Sequence, residues 1–474
     1  MRHIHSSFGL SAIAVFLLFA RLAASAPGVL SSRGLLDQLE KCDETISVLQ
    51  NDLVRGWVRE PDYRGTWQIL WVCLVTTFLC TYTLLCLNIL APTDTWTTLL
   101  RRRLMWMVIA ILGPEIVLTY AAGQWSRAKH SVAAFHKSGY KQWTIRMAFY
   151  TDMGGFVLHT NDFDPFPLNA KQLHWLVVNK YIDYPPYSIE EIRDKSKQDR
   201  LAKLISSIQV TYFIIECIAR TAQGLAITTL ELNTLCIVVS SLMTAYAWMH
   251  KPVDVRTPFK IIAPYSITAI TGDREWDTTP LDFIDENGPG WSLNVQAFMK
   301  MPVIPVARPI QRVPDDGFPM NPYGVQEYCV CFGTLLFTGL HILGWHFSFP
   351  SAIEKLLWRI SSLILFGVTA AFWVCETAAS WTRLGRWQWL YLYLFDKNKL
   401  ASFKEERREQ QERNTSTRKA IELPLAWEFW TIAPIALIYG VARMYQIVEM
   451  FLQLRHLDAS TFVQVSWSTY LPHI

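Results

Sequence analysis

Charged residues are scarce in this sequence. Asp, Glu, Lys and Arg make up 18% of its 474 residues, whereas about 25% is usual for a soluble globular protein. The formal net charge of +4 is too small, for a chain of this length, to indicate a nucleic-acid partner. Hydrophobic residues account for 51% of the chain. This balance favours a membrane protein over a soluble one.

Signatures of familiar enzyme chemistries are also missing. The sequence contains no phosphate-binding P-loop, no HExxH zinc helix and no GxSxG nucleophile turn. Its 11 His residues never fall into the clustered spacings of membrane di-iron oxidases. His341 and His346 are five residues apart and so do not share a helix face. We therefore predict no cofactor and no metal site, assign no catalytic residue, and leave open whether the protein is an enzyme.

The nine Cys residues form neither a disulfide framework nor a zinc-binding spacing. All but Cys42 lie in or beside apolar runs, where Cys behaves as a small apolar residue. Cys73 and Cys80 are seven residues apart and return to the same face of a helix. A thiol metal or redox site is one interpretation. The absence of a Cys-x-x-Cys pair and of a nearby His favours the other, which is close approach of a second helix.

Apolar runs long enough to cross a bilayer as helices recur along the chain. The clearest pair flanks the short polar turn at 220–223, as in a transmembrane hairpin. Many of the 20 Trp residues lie near the ends of these runs, as in an interfacial aromatic belt. The sequence thus predicts an all-α integral membrane protein with about seven transmembrane helices and two long extramembrane loops, 123–203 and 250–327. The predicted spans are 69–90, 104–122, 204–219, 225–249, 330–349, 356–381 and 427–448.

The N-terminus has the pattern of a secretory signal. Residues 1–26 combine a basic start, an apolar run and a small-residue cleavage site, with an uncleaved anchor as the alternative. A short polar segment, 27–65, separates this signal from the membrane domain, 66–474. We therefore expect entry through the secretory pathway, and the sequence does not indicate the final membrane.

A cleaved signal also fixes an orientation for the loops. With seven spans it places the loop 382–425 in the lumen, where Asn414, the first residue of an Asn-Thr-Ser sequon, is predicted to carry an N-glycan. The positive-inside rule opposes this orientation, because the three loops assigned to the lumen hold most of the Lys and Arg. We retain the signal-driven orientation, because two of those loops are longer than the rule covers well.

Ionisable residues within the predicted spans or directly at their ends are the candidate functional residues, because each costs about 2.5–3.5 kcal/mol to insert. There are eight of them: Glu115, Glu216, Arg220, Glu231, Arg359, Glu376, Glu428 and Arg443. Those close to span ends can reach the interface and need no special role. We select Glu115, which follows the helix-breaking Pro114, and the three residues around the hairpin turn, Glu216, Arg220 and Glu231.

The hairpin residues are expected to form one charged cluster. Glu216 and Arg220 are four residues apart, so their side chains should neutralise each other on one helix face. Arg220 is also long enough to reach toward Glu231, which would place one Arg between two acids. Stabilisation of the helix bundle is the expected role of Glu115 and Glu231, and a functional role is the alternative.

One further acidic pair lies outside the predicted spans. Asp162 and Asp164 flank Phe163 in a DxD-like arrangement that could bind a metal–diphosphate. Two aspartates directly before a Pro are more typical of a turn, and we expect a turn here.

Several separated motifs resemble a large group of fungal multi-pass membrane proteins. They are RGTWQILWVC, DKSKQDRLAKL, ARTAQGLAITTLEL, HKPVDVRTP and VSWSTYLPHI, in that order. The likeness extends from Arg64 to Ile474. It implies a fungal integral membrane protein, in some members associated with secondary-metabolite pathways. It implies no activity and transfers no catalytic residue.

Three functional hypotheses follow. The first is a non-enzymatic transport or accessory component, based on the polar residues within spans and the missing catalytic motifs. The second is a membrane-embedded enzyme that acts on a lipophilic substrate, with Glu115 and Glu231 as candidate acids or bases. The third is a seven-span receptor, which the long loops fit poorly. The expected partners are the lipid bilayer and, in the first two cases, a lipophilic small molecule; protein partners are not indicated.

Overall fold

The computed structural model describes most of the chain from residue 64 onward. The described residues are 64–196, 200–272, 276, 278–284, 308–315, 325–383, 386–396, 399, 401–406 and 426–466. The predicted signal peptide 1–26, nearly all of the polar segment 27–65, and the sequon residue Asn414 lie outside these residues.

The described part is mainly helical, as predicted, and contains one small β-sheet. The helices are α1 Thr66–Phe78, α2 Trp96–Leu112, α3 Pro114–Lys137, α4 Ile145–Asp152, α5 Ala170–Val178, α6 Ile189–Lys195, α7 Arg200–Ala222, α8 Thr229–Ala247, α9 Ile267–Thr271, α10 Val325–Leu340, α11 Ala352–Arg383, α12 Arg386–Phe395 and α13 Ala426–Leu452. The strands are β1 Phe156–His159, β2 Phe166–Leu168 and β3 Phe259–Ile262. Short π or 3-10 turns extend α1, α10 and α13.

Within the described residues, five helical stretches are long and apolar enough to cross a membrane. They are Thr66–Thr83, Thr229–Ala247, Tyr328–His346, Ala352–Ala379 and Trp430–Arg455. The bent pair α2–α3 makes a sixth if it forms one span. Helix α7 covers the third predicted span but does not meet the same test. It carries Gln209, Glu216 and Arg220 among its apolar residues, which lowers its mean hydropathy.

The predicted interruption of the second span is confirmed. Helix α2 ends before Gly113, α3 begins at Pro114, and the two axes differ by 112°. Pro114 is compatible with the first position of α3, because the N–H that it lacks has no partner there in any helix. Glu115 consequently occupies the first turn of α3, where the helix dipole favours a negative charge.

Helix α8 lies at the centre of the bundle. Its apolar stretch is 72% buried, against 28% for the corresponding stretches of α11 and α13. It contacts α1, α3, α10 and α13, and its side chains contribute much of the surrounding apolar core. The polar residues of α8 therefore face other helices.

The two long loops of the sequence prediction contribute to a folded unit. In the sheet, β1 pairs antiparallel with β2 and parallel with β3, so strands from both loops join. Its aromatic core includes Phe135, Trp143 and Phe156, all 1% exposed or less. The prediction of a long loop at 123–203 missed the elements α4 and β1. Strands of three or four residues are too short to show the alternating period that identifies a strand.

Candidate functional site

The first charged cluster lies at the start of the hairpin's second helix. The Arg64 guanidinium forms an ion pair with Glu231, and its Nη2 lies 3.6 Å from Oε1 of Glu216. The other Glu231 oxygen accepts hydrogen bonds from the backbone N–H and the hydroxyl of Thr228, each at 2.9 Å. Thr228 and Glu231 form the capping box of α8. This cluster brings Glu216 and Glu231 together and gives both carboxylate oxygens of Glu231 a partner.

The predicted partner of these acids was wrong. Arg220 contacts neither carboxylate and instead donates to backbone carbonyls. Its Nη2 donates to Ala226 at 2.9 Å and Thr461 at 2.9 Å, and its Nη1 donates to Val463 at 2.9 Å. Arg64, at the entrance to α1, takes the place that the i,i+4 spacing assigned to Arg220.

The two arginines also join three distant parts of the chain. Arg64 donates its backbone N–H to Phe462 at 2.9 Å, next to the carbonyls that Arg220 binds. Gln223, in the hairpin turn, exchanges two hydrogen bonds with the backbone of Ser466. The entrance to α1, the hairpin turn and the segment after α13 are therefore fastened to one another.

The second polar cluster lies at the break between α2 and α3, and Arg443 is its centre. Arg443 is 1% exposed and donates to the carbonyls of Leu112 at 3.0 Å and Ile111 at 3.1 Å. The last carbonyls of a helix have no partner within it, and the guanidinium supplies one. Nη1 of Arg443 lies 2.9 Å from Nε2 of His341.

His341 extends this cluster into the bundle core. Its Nδ1 lies 3.0 Å from the carbonyl of Phe337, so we assign the proton to Nδ1 and let Nε2 accept from Arg443. Nε2 is also 3.4 Å from Oδ1 of Asn233 on α8, and because Nε2 is an acceptor here, this contact is a hydrogen bond only with the amide turned so that its NH2 group donates. Polar contacts therefore run from the helix break to the central helix.

Glu115 completes the cluster on the α3 side of the break. One carboxylate oxygen accepts a hydrogen bond from the Tyr439 hydroxyl. The other oxygen is buried and has no hydrogen-bond partner among the described residues. Arg443 is four residues after Tyr439 on α13, so both face the break. We call Glu115, Tyr439, Arg443, His341 and Asn233 the break network.

Of the four residues selected from the sequence, Glu216, Arg220 and Glu231 lie at the hairpin, and Glu115 lies in the break network. Sequence reasoning missed Arg64, because it lies outside the predicted spans, and Tyr439, because Tyr is common in apolar runs. It noted Arg443 without selecting it. The hydrogen bond between Glu115 and Tyr439 of α13 could not be deduced from spacing, because 324 residues separate the two.

A third polar cluster joins the bundle to the folded unit beside it. Lys251 is 4% exposed, and its ammonium group donates to the Cys86 carbonyl at 2.6 Å and to Gln124 at 2.8 Å. Burial lowers the pKa of Lys251 to about 8. Nearby, Nε of Arg102 donates to Asp315 at 2.8 Å. These side chains hold the segments after α1 and before α10 against the bundle.

The DxD-like residues lie in a turn, as expected. Asp162 accepts the backbone N–H of Ile267 at 2.9 Å, at the start of α9. This hydrogen bond lowers the pKa of the Asp162 carboxyl. Among the described residues, no group of three or more His, Cys, Asp or Glu side chains is placed to hold a metal ion.

Comparison with known proteins identifies a family. The model of a family of unknown function, DUF8562, matches residues 43–266 and 325–474, which is most of the chain. Neither the curated proteins nor the solved structures contain a match.

Proposed function

We propose that this chain, which belongs to the family of unknown function DUF8562, is a multi-pass membrane protein with a non-enzymatic transport or accessory role. The five or six candidate spans support the membrane assignment. We retain about seven spans in the proposal, with α7 as the remaining one, because it is 23 residues long and precedes the hairpin turn. The signal pattern of residues 1–26 adds entry through the secretory pathway to this proposal, and the fungal resemblance adds a secondary-metabolite context.

The break network is the observation that carries the transport role. Membrane carriers commonly place their sites at discontinuous helices, where the end of one half-helix offers carbonyls and the start of the next offers N–H groups. Here the chain's own charges fill both positions: Arg443 binds the carbonyls of α2, and Glu115 stands at the start of α3. A cation would have to displace Arg443, so a neutral, lipophilic molecule is the better candidate cargo.

A cavity of about 10 Å³, with room for one water molecule, lies beside the break and would have to widen to hold such a ligand. Its lining is mostly apolar and includes Leu84, Ala110 and Val117, with Pro114 of the break itself. Movement of α2 relative to α3 would change the shape of this cavity, since both helices line it. The break would then couple the position of the helices to the binding of a ligand.

The enzyme hypothesis stays as the second candidate because of Glu115. A buried carboxyl group with one free oxygen, next to a Tyr hydroxyl, is chemically able to transfer a proton to a bound substrate. The two roles make different predictions about where metabolites accumulate.

Metabolite profiling of a deletion strain tests the proposal. If the protein transports a metabolite, the end product should accumulate inside the cells and fall outside them, and the wild-type gene should restore export. Loss of the product with accumulation of its precursor would show chemistry and overturn the transport role. An unchanged profile would also overturn it.

A pair of tyrosine variants connects the result to the break network. Tyr439→Phe removes the hydrogen bond to Glu115, and we expect normal protein abundance with impaired export. Tyr445→Phe is the matched control, since Tyr445 lies on the same helix and bonds to Glu354 and Glu449 instead. If both variants restore export equally, the break network is not the transport element.

A further inference from the structure

Apart from Arg386 and Gln388, helix α12 is made of apolar and aromatic residues, and it belongs to none of the apolar cores of the described residues. None of its residues is buried. Trp387, Tyr391 and Phe395 are 51%, 62% and 75% exposed. Trp389 and Tyr393 are also exposed, and at 100° per residue they lie on roughly the opposite side of the helix from Trp387. A helix with exposed rings on both sides requires an environment that surrounds it.

The composition of α12 indicates what that environment is. Its ten residues contain two Trp, two Tyr and one Phe. Trp and Tyr each combine a large apolar body with one polar group, and they concentrate where a bilayer changes from headgroups to acyl chains. A protein partner or a second copy of the chain would cover one face of α12 and leave the other face in water.

The position of α12 in the fold agrees with this environment. It follows α11 after only two residues, and Trp387 contacts Trp381 of α11 with ring centroids 4.8 Å apart. Helix α11 is itself a candidate span with a row of exposed apolar side chains, including Leu356 and Leu363. The exposed surface of α12 therefore continues the surface that α11 presents to lipid.

We infer that α12 lies in the polar–apolar boundary of the bilayer and anchors the end of α11 there. The inference rests on the membrane embedding proposed above. With a length of about 15 Å, α12 is too short to cross the hydrocarbon core. Its rings occupy the boundary on all sides, and the exposed charged residues that follow, Lys399, Lys404 and Glu405, stay in water.

Photoreactive lipids test the inference on the wild-type protein. The protein is reconstituted in phosphatidylcholine vesicles that carry a diazirine either on the headgroup or on an acyl chain, and labelled peptides are mapped by mass spectrometry. Leu363, at the middle of α11, is the reference for the hydrocarbon core. Ile189, an exposed apolar residue next to two acidic residues of α6, is the reference for water.

We expect both probes to label α12 about tenfold above Ile189, whereas only the acyl probe labels Leu363. Acyl labelling of α12 without headgroup labelling would place the helix deep in the core and overturn the inference. An unlabelled α12 beside a labelled Leu363 would overturn it too, and would leave the membrane embedding intact. If Leu363 is also unlabelled, the embedding itself fails, and the inference fails with it.

Discussion

Replacing Arg64 with Ala should destabilise the folded protein more than replacing either of the acids that it contacts, Glu216 and Glu231. The Arg64 side chain is 4% exposed and faces two acids, of which Glu231 is 1% exposed. Without the guanidinium, Glu231 is a buried carboxylate with no ion pair. The backbone N–H of Arg64 still reaches Phe462, so the loss is confined to the charge contact.

The size of the effect follows from the burial. Removing one partner of a buried ion pair costs about 3–5 kcal/mol, because the remaining charge stays desolvated. Because Glu231 keeps its two hydrogen bonds from Thr228, we expect Arg64→Ala to reduce the free energy of unfolding by about 3 kcal/mol. The double variant Arg64→Met with Glu231→Gln removes both charges, and it should be more stable than Arg64→Ala despite carrying two changes.

Thermal melting of the detergent-solubilised protein ranks the variants by stability, with the fraction that stays monodisperse as the readout. Only the order is compared, because a multi-pass protein need not unfold in two states. The control is Arg455→Ala, which breaks the ion pair between Arg455 and Glu354. Because the Arg455 side chain is 58% exposed, its loss should cost about 1 kcal/mol or less. If Arg64→Ala melts like Arg455→Ala, the reasoning from burial is refuted.

Three further predictions concern the other buried polar and thiol groups. Arg220→Ala should sharply reduce the amount of folded protein on size-exclusion chromatography, because several backbone carbonyls lose their donor, whereas Glu216→Gln should express normally. Cys73→Ala combined with Cys80→Ala should leave abundance and activity nearly unchanged; loss of bound metal or of function would contradict this. Between about pH 8 and about pH 10.4 the unfolded chain binds a proton at Lys251 that the folded chain lacks, so this residue's contribution to stability rises with pH. The melting temperature of wild type relative to Lys251→Met should therefore increase from about pH 7.5 to about pH 9.5, and a constant difference would show that the folded pKa is not lowered.

Features that depend on neighbouring residues could be predicted from the sequence. The apolar runs gave the positions of the long helices, and Pro114 gave the break between α2 and α3. The turn after α7 was also recognisable, because a short polar stretch ending in Gly224 separates two apolar runs. Gly224 has a φ of 71°, a conformation that glycine adopts without strain. Each of these signals is contained within a few turns of helix.

Contacts between distant residues could not be predicted in this way. Arg64 and Glu231 are 167 residues apart, and Arg220 lies more than 230 residues before the carbonyls of the C-terminal segment. Helical spacing compares only residues within one or two turns, so it paired Arg220 with its nearest acid. The folded unit was missed for a related reason, since its sheet joins β1 to a strand in a different loop.

The buried arginines share a second kind of partner that spacing rules ignore. Arg220 and Arg443 both bind backbone carbonyls where a helix ends or the chain turns, and such carbonyls lack partners in their own helix. Both cations are thereby used for structure. Among the acids selected from the sequence, Glu115 differs from Glu216 and Glu231. It forms no ion pair with the described part of the chain, and one of its carboxylate oxygens has no hydrogen-bond partner there. Glu115→Gln should therefore affect activity more than abundance, and the reverse outcome would assign the break network to stability alone.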